Sequence, residues 1–202
     1  MPQLTSHLTQ KKRFIGAVAL IVAIAAGLLS FTLPLKYSAS VRLLLVQRAA
    51  FTLDPYTAIR STELIGDHLA QVVTTSSFLD KVLGEQYQVD HNYFVGSERT
   101  RRKIWANTIS AAQESGTGLL TVSAFHPNPT EAVKIVNAVA FLLSTQGGDY
   151  IGREITVRLV DAPLTSRFPV RPNIPLNMVV GAVIGALLGG IWVAYGEKKK
   201  HH

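Results

Sequence analysis

The feature that most constrains this chain is a long uncharged stretch near its C-terminal end. Between the nearest charges, Arg171 and Glu197, residues 172–196 give 25 uncharged positions. A helix rises about 1.5 Å per residue and the hydrocarbon core of a bilayer is about 30 Å thick, so roughly 20 apolar residues suffice to cross it. The stretch therefore predicts a transmembrane helix over 172–196.

Three glycines recur within this stretch at every fourth position: Gly181, Gly185 and Gly189. This spacing places them on one helix face, where a neighbouring helix can approach closely in lipid. We expect this face to serve transmembrane packing. The alternative is a helix that merely carries small residues, because glycine is commoner in membrane helices than in soluble ones.

A second uncharged run of 22 residues covers 14–35 and follows Lys11-Lys12-Arg13. It predicts the first transmembrane helix. A cleaved signal peptide is the rival interpretation, but the apolar core of a signal peptide is usually shorter, at about 7–15 residues. The chain is therefore predicted to cross a membrane twice.

The net charge of +7 suggests nucleic-acid binding until the charges are mapped. Five of the seven net positive charges lie in the two clusters beside the apolar runs, as the positive-inside rule expects for cytoplasmic ends. We therefore expect membrane lipids, and no nucleic acid, as partners of the chain. The predicted location is the plasma (inner) membrane. The predicted segments are a cytoplasmic tail over 1–13, an extracytoplasmic domain over 36–171 and a cytoplasmic tail over 197–202, whose His201-His202 is consistent with a tag remnant.

The middle of the chain predicts a mixed domain of helices and strands. Asp54-Pro55 and Asn128-Pro129 are helix-start signals, because the polar side chain caps free N–H groups and proline suits the first turn. Glu131 stands where a capping box would reach back to Asn128. Alternating or β-branched apolar residues predict the strands. In order, the predicted elements are a strand over 37–47, a helix from Asp54 to Val73, a short helix capped by Ser77 and stopped by Gly84, a polar loop or frayed helix over 84–103, strands over 104–113 and 119–125, a helix ended by Gly147-Gly148, and a strand from Ile155 to Leu159.

The predicted fold class is therefore α+β, with two transmembrane helices flanking one extracytoplasmic α/β domain in the order span-β-α-α-β-β-α-β-span. Prolines are expected to lead the chain in extended form from the last strand back into the membrane. They are Pro163, Pro169, Pro172 and Pro175.

Four passages resemble the polysaccharide co-polymerases, the Wzz-type chain-length determinant family. They are the lysine-flanked first span followed by Tyr37-Ser38-Ala39, the sequence SSFLDKVLGE, the sequence GTGLLTVSAFHPNPTEAVKIVNAVAFLL, and the sequence VRLVDAPLTSRFPVRPNIPLNMVVGAVIGALLG. The chain is similar to short members without a fused tyrosine kinase domain, because it contains no G-x-x-x-x-G-K-[ST] phosphate loop.

The resemblance implies a non-enzymatic regulator of the chain length and export of a surface polysaccharide, such as capsule, exopolysaccharide or O-antigen. It implies a homo-oligomeric ring in the membrane that acts as a scaffold beside the polysaccharide polymerase. A transmembrane adaptor that activates a separate cytoplasmic tyrosine kinase is the alternative. A structural cell-envelope protein with no role in glycan synthesis is a third, weaker hypothesis.

The residues themselves carry no motif for catalysis, for a cofactor or for a metal. The chain has no cysteine, and none of its histidines stands at metal-ligand spacing such as H-E-x-x-H. His126, just before Pro127, is expected to be structural. Glycan hydrolases need two convergent carboxylates, and convergence of Asp54, Asp80, Asp90 and Glu98 stays an open but weak alternative.

One basic cluster lies inside the middle domain: Arg99, Arg101, Arg102 and Lys103. Its functional interpretation is contact with an anionic glycan or a lipid-linked pyrophosphate, because arginine offers paired donors to phosphate. The alternative is a solvated surface in which the cluster pairs with Glu98 or with a neighbouring subunit.

Overall fold

The structure is a computed structural model that describes residues 2–47, 54–152 and 155–198. The chain divides into two compact units, one made by the two terminal helices and one made by Lys36–Val170. In chain order the elements are α1 (Pro2–Ser30), β1 (Tyr37–Gln47), α2 (Pro55–Val73), α3 (Ser76–Gly84), a 3-10 helix (His91–Phe94), α4 (Glu98–Thr108), β2 (Ile109–Glu114), β3 (Leu119–His126), α5 (Pro129–Ile151), β4 (Ile155–Thr165) and α6 (Ile174–Lys198).

The predicted fold class is confirmed. The middle unit is α+β with one antiparallel sheet, and two candidate membrane helices flank it in the sequence. The strands lie in the order β2-β3-β1-β4, so β2 and β4 are the edges. Every pairing is antiparallel.

The core lies on one face of this sheet. Alternate residues of β1 are buried, among them Val41, Leu43 and Leu45, and β3 follows the same alternation. Successive side chains of a strand point to opposite faces, so one face is covered and the other is not. Helix α5 packs on β1, β3 and β4, and α2 packs chiefly against β2.

Both predicted proline-containing helix starts are confirmed. The Asp54 carboxylate accepts a hydrogen bond from the Thr57 N–H at 3.1 Å, and the Asn128 side chain accepts one from the Thr130 N–H at 2.9 Å. The predicted cap Ser77 is wrong, because α3 begins at Ser76 and its cap is Thr75, whose side chain accepts a hydrogen bond from the Phe78 N–H.

The predicted capping box at Glu131 is also wrong. The Asn128 N–H donates to Nδ1 of His126, which leaves Glu131 free for other partners. The Glu131 carboxylate accepts instead from the Asp90 N–H at 3.0 Å and from Nζ of Lys134 at 2.7 Å. Glu131 therefore ties α5 to the segment before the 3-10 helix.

The largest error concerns residues 84–108. The segment predicted over 84–103 as a polar loop or frayed helix contains the 3-10 helix and the first half of α4, and the strand predicted over 104–113 begins only at Ile109. Ser97 caps α4 by accepting from the Thr100 N–H. Trp105 is then fully buried and donates from its indole N–H to the Val73 carbonyl at 2.8 Å. Burial of this large side chain outweighs the β-branched residues that favoured a strand.

Two further boundaries differ from the prediction, the end of β4 and the end of α5. Strand β4, predicted from Ile155 to Leu159, continues to Thr165. Gly147-Gly148 does not end α5, which continues to Ile151 and closes on Gly152 in the left-handed conformation. Gly147 is buried, and a methyl group there would lie 3.2 Å from a Val157 methyl of β4. Gly147 thus lets the helix pass close to the sheet.

The predicted proline passage is only partly extended. Pro163 is still inside β4, where an edge strand tolerates the missing N–H. Pro169 and Pro172 lie between β4 and α6, and Pro175 lies in the first turn of α6, a position that suits proline.

Among the described residues, two apolar stretches are long enough to cross a membrane, one in each terminal helix. The stretches are Lys12–Ser30, with mean hydropathy 2.2, and Ile174–Val193, with mean hydropathy 2.0. Only 17% of each stretch is buried, which is unlike a core helix of a soluble domain. Helix α1 ends at Ser30 rather than at the predicted residue 35, because a turn over 31–33 precedes Pro34.

Candidate functional site

The first candidate site is the contact between α1 and α6, which the glycine face of α6 makes possible. A methyl group built on Gly185 would lie 2.7 Å from Cα of Ala19 and 2.9 Å from the carbonyl oxygen of Val18. At Gly181 the nearest atom would be Cβ of Ala26 at 2.7 Å, and at Gly189 it would be Cα of Ile15 at 3.2 Å. Side chains larger than hydrogen at the first two positions would therefore force the helices apart.

The partners of the three glycines run backwards along α1 as α6 runs forwards. The two helices are therefore antiparallel, which is the arrangement of a membrane hairpin. The helix that fills the glycine face is α1 of the same chain. A helix of a second subunit would consequently meet other faces of this hairpin.

Contacts near the two ends of the hairpin fix its register. Near one end, the Asn177 amide donates to Oγ of Ser30 at 2.9 Å, and Ser30 donates in turn to the Ala26 carbonyl at 2.9 Å. Near the other, the rings of Phe14 and Trp192 stack with centroids 5.1 Å apart. The sequence analysis missed the Ser30–Asn177 pair, although two polar residues in apolar runs are a signal for a hydrogen bond between membrane helices.

The second candidate site is the basic cluster, which lies on α4. Its members differ in what they contact. The Arg101 guanidinium forms ion pairs with Asp80 of α3 and with Glu98, and Arg102 pairs with Glu98 at 3.0 Å. Pairing with Glu98 belongs to the alternative interpretation of the cluster, and Arg101 and Arg102 fit it. The Arg102 hydrogen bond is the main cause that lowers the pKa of the Glu98 carboxyl.

The other two members of the cluster remain open to solvent. Arg99 and Lys103 are exposed and stand one helical turn apart on the same side of α4. Neither makes an ion pair or a side-chain hydrogen bond within residues 2–47, 54–152 and 155–198. We propose that these two cations, rather than all four, contact an anionic glycan or a lipid-linked pyrophosphate.

The four carboxylates considered for hydrolysis have structural partners. Asp54 caps α2, and Asp90 caps the 3-10 helix by accepting from the Asn92 N–H at 2.9 Å. Asp80 and Glu98 share the Arg101 guanidinium. Over the described part of the chain, no group of three or more histidine or carboxylate side chains could hold a metal ion.

His126 is buried at the end of β3, consistent with the structural role expected for it. Its Nδ1 accepts from the Asn128 N–H at 3.1 Å, and its ring packs against the Tyr93 ring in a T-shaped arrangement with centroids 4.2 Å apart. Burial lowers the pKa of His126 below its ordinary value of 6.5. The neutral imidazole is therefore the form that the fold requires, since protonation would remove the acceptor at Nδ1.

Fold and site together define a class of protein: two apolar helices, packed through glycine as an antiparallel hairpin, joined to one α+β unit. We then compared the chain with sequence models of known protein families. A sequence model of the family described as Wzz: Chain length determinant protein matches residues 2–86, which include α1, β1, α2 and α3. The resemblance to this family is thereby confirmed over those residues, and it supports a role in determining polysaccharide chain length. A comparison with curated proteins finds no match.

Replacing Gly185 by leucine is expected to disrupt the hairpin, because the new side chain would overlap the α1 backbone. The measurement is disulfide formation between cysteines placed at Phe14 and Trp192 in a chain that has no native cysteine. We expect efficient intramolecular cross-linking in membranes, reduced at least several-fold by Gly185→Leu. Gly190→Leu is the matched control, since a methyl at Gly190 meets nothing within 4 Å. Equal cross-linking in both variants would contradict the packing described above.

Acidification is expected to destabilise the middle unit through His126. Its folded pKa is lowered, so the unfolded chain binds the proton more readily, and stability falls as pH drops below about 6.5 towards the folded pKa. His126→Asn keeps a neutral acceptor and should flatten this part of the curve. The measurement is the thermal unfolding midpoint of detergent-solubilised protein between pH 8 and pH 5. Parallel curves for the two proteins would contradict the assignment.

The double substitution Arg99→Ala with Lys103→Ala is expected to weaken binding of a polyuronate, and of pyrophosphate, by several-fold at low salt. Its unfolding midpoint should be unchanged, because neither side chain makes an ion pair or a hydrogen bond within the described residues. Arg101→Ala should instead lower the midpoint by a few degrees, since it removes the ion pairs with Asp80 and Glu98, each worth up to about 1 kcal/mol. Arg60→Ala, whose native guanidinium pairs with Glu63 at 3.3 Å, is the charge control. Undiminished binding by the double variant would refute the proposed contact.

Proposed function

We propose that this protein is a non-enzymatic regulator of the chain length and export of a surface polysaccharide, acting as an oligomeric membrane scaffold beside the polymerase. The observation that carries the proposal is the match of residues 2–86 to the chain-length determinant family. Capsule, exopolysaccharide and O-antigen are the candidate polymers.

The proposed membrane arrangement follows from charge and hydropathy. The basic clusters next to the apolar stretches favour a cytoplasmic location for both ends of the chain. The unit Lys36–Val170 would then lie outside the plasma (inner) membrane, where the polymer is assembled. The antiparallel course of α1 and α6 is the course that such a hairpin requires.

A scaffold role also agrees with the chemistry of the middle unit. The carboxylates considered for hydrolysis (Asp54, Asp80, Asp90 and Glu98) cap helices or form ion pairs. The exposed cations Arg99 and Lys103 offer a surface for an anionic polymer. Such groups can hold a chain without breaking a bond in it. The mechanism is geometric: the number and arrangement of subunits set how long the growing polymer is retained.

The test is the length distribution of the surface polysaccharide in the native host. Deleting the gene should change the distribution, and the wild-type chain should restore it. The variant Gly185→Leu should restore it poorly and Gly190→Leu fully, at equal amounts of membrane protein. An unchanged distribution on deletion would refute the proposed function, whereas full restoration by Gly185→Leu would refute only the part assigned to the hairpin.

A further inference from the structure

One edge of the sheet exposes apolar side chains that the middle unit leaves uncovered. Strand β4 is an edge strand of 11 residues, and beyond Val157 it is mostly exposed on both faces. Leu159 is 54% exposed, Val160 is 52% exposed and Leu164 is 79% exposed. Single exposed apolar side chains are common, but three on one strand edge form a surface suited to another protein element.

The outer face of α2 is a second exposed apolar surface. Tyr56 is 78% exposed, and Ile59 and Leu64 are each 49% exposed. The opposite side of the same helix buries Ile65 and Leu69 in the core. The hydrophobic residues of α2 therefore serve two surfaces, of which the described residues of the chain cover one.

The two surfaces lie at opposite edges of the sheet. Helix α2 packs against β2: a methyl group on Gly66 would overlap the side chain of Gln113, and the Glu63 carboxylate accepts from the Gly116 N–H in the turn after β2 at 2.6 Å. Strand β4 is the other edge. Four strands at about 4.8 Å spacing separate the edges by roughly 14 Å.

The charges beside the two surfaces are complementary. Arg158 and Arg167 are exposed on and just beyond β4, and Asp67 is exposed on α2. None of the three pairs with another residue in the described ranges. Bringing two β4 edges together would bring unpaired arginines together, whereas bringing β4 to α2 would bring them to a carboxylate.

We infer that β4 of one subunit docks on the outer face of α2 of a second copy of this chain. Because the two surfaces differ and lie on opposite edges, the contact is head-to-tail, and repeated contacts close a ring if the rotation between subunits allows it. The inference rests on the proposed oligomeric scaffold, and it names the surfaces through which that scaffold assembles.

The test uses the absence of native cysteine. Single cysteines replace Leu64 on α2 and Leu159 on β4, and membranes containing the full chain are treated with a short bismaleimide. Neither single variant should cross-link alone. The two single variants expressed together should give covalent dimers and nothing larger, and the double variant Leu64→Cys with Leu159→Cys should give a ladder of multimers. Leu64→Cys with Ser144→Cys, an exposed position on α5, is the matched control and should give no ladder.

Light scattering of detergent-solubilised protein tests the oligomeric scaffold separately from the proposed interface between β4 and α2. A monomeric wild-type protein would overturn both the scaffold and this interface. An oligomer in which the Leu64 and Leu159 variants fail to cross-link would overturn the interface alone, and so would cross-linking of Leu159→Cys with itself. Substituting Asp67→Arg should reduce the ladder in the double-cysteine background, and adding Arg158→Asp should restore part of it.

Discussion

The close approach of α6 to α1 is the constraint on which the rest of this molecule depends. Backbone atoms of α1 occupy the space where side chains would stand at Gly181 and Gly185. Between helices in lipid there is little hydrophobic driving force, so such packing and the Ser30–Asn177 hydrogen bond hold the hairpin. An antiparallel hairpin also requires that the inserted unit begin and end close together. The Val170 N–H accordingly donates to the Lys36 carbonyl at 2.8 Å.

Local signals in the sequence predicted the parts of the fold that local chemistry determines. Asp54-Pro55 and Asn128-Pro129 each combine a capping side chain with a residue already fixed for the first helical turn, so no distant contact is needed. The error over 84–108 has the opposite cause. Helix α4 depends on the burial of Trp105 against Val73, which is 32 positions earlier in the chain. Without knowledge of the contact between Trp105 and Val73, the apolar pattern of residues 104–113 predicts a strand.

The same distinction applies to the candidate sites. The spacing of three glycines identified a packing face, because the helical period alone puts them together. The basic cluster could be found but not resolved, since the partner of Arg101 is Asp80, on another helix. The sequence alone also could not predict that β4 and the outer face of α2 are exposed to solvent. Their apolar residues have the spacing of core residues, and only the arrangement of the layers leaves them uncovered.

The account is tested most directly by the membrane topology of the intact chain. Single cysteines replace Ser144, in the middle unit, and Gln10, before the first apolar stretch, and intact cells or spheroplasts are treated with a membrane-impermeant maleimide. The account predicts that Ser144→Cys is labelled at once and that Gln10→Cys is labelled only after lysis. Labelling of Gln10→Cys in intact cells, or protection of Ser144→Cys until lysis, would contradict a hairpin that presents Lys36–Val170 to the exterior.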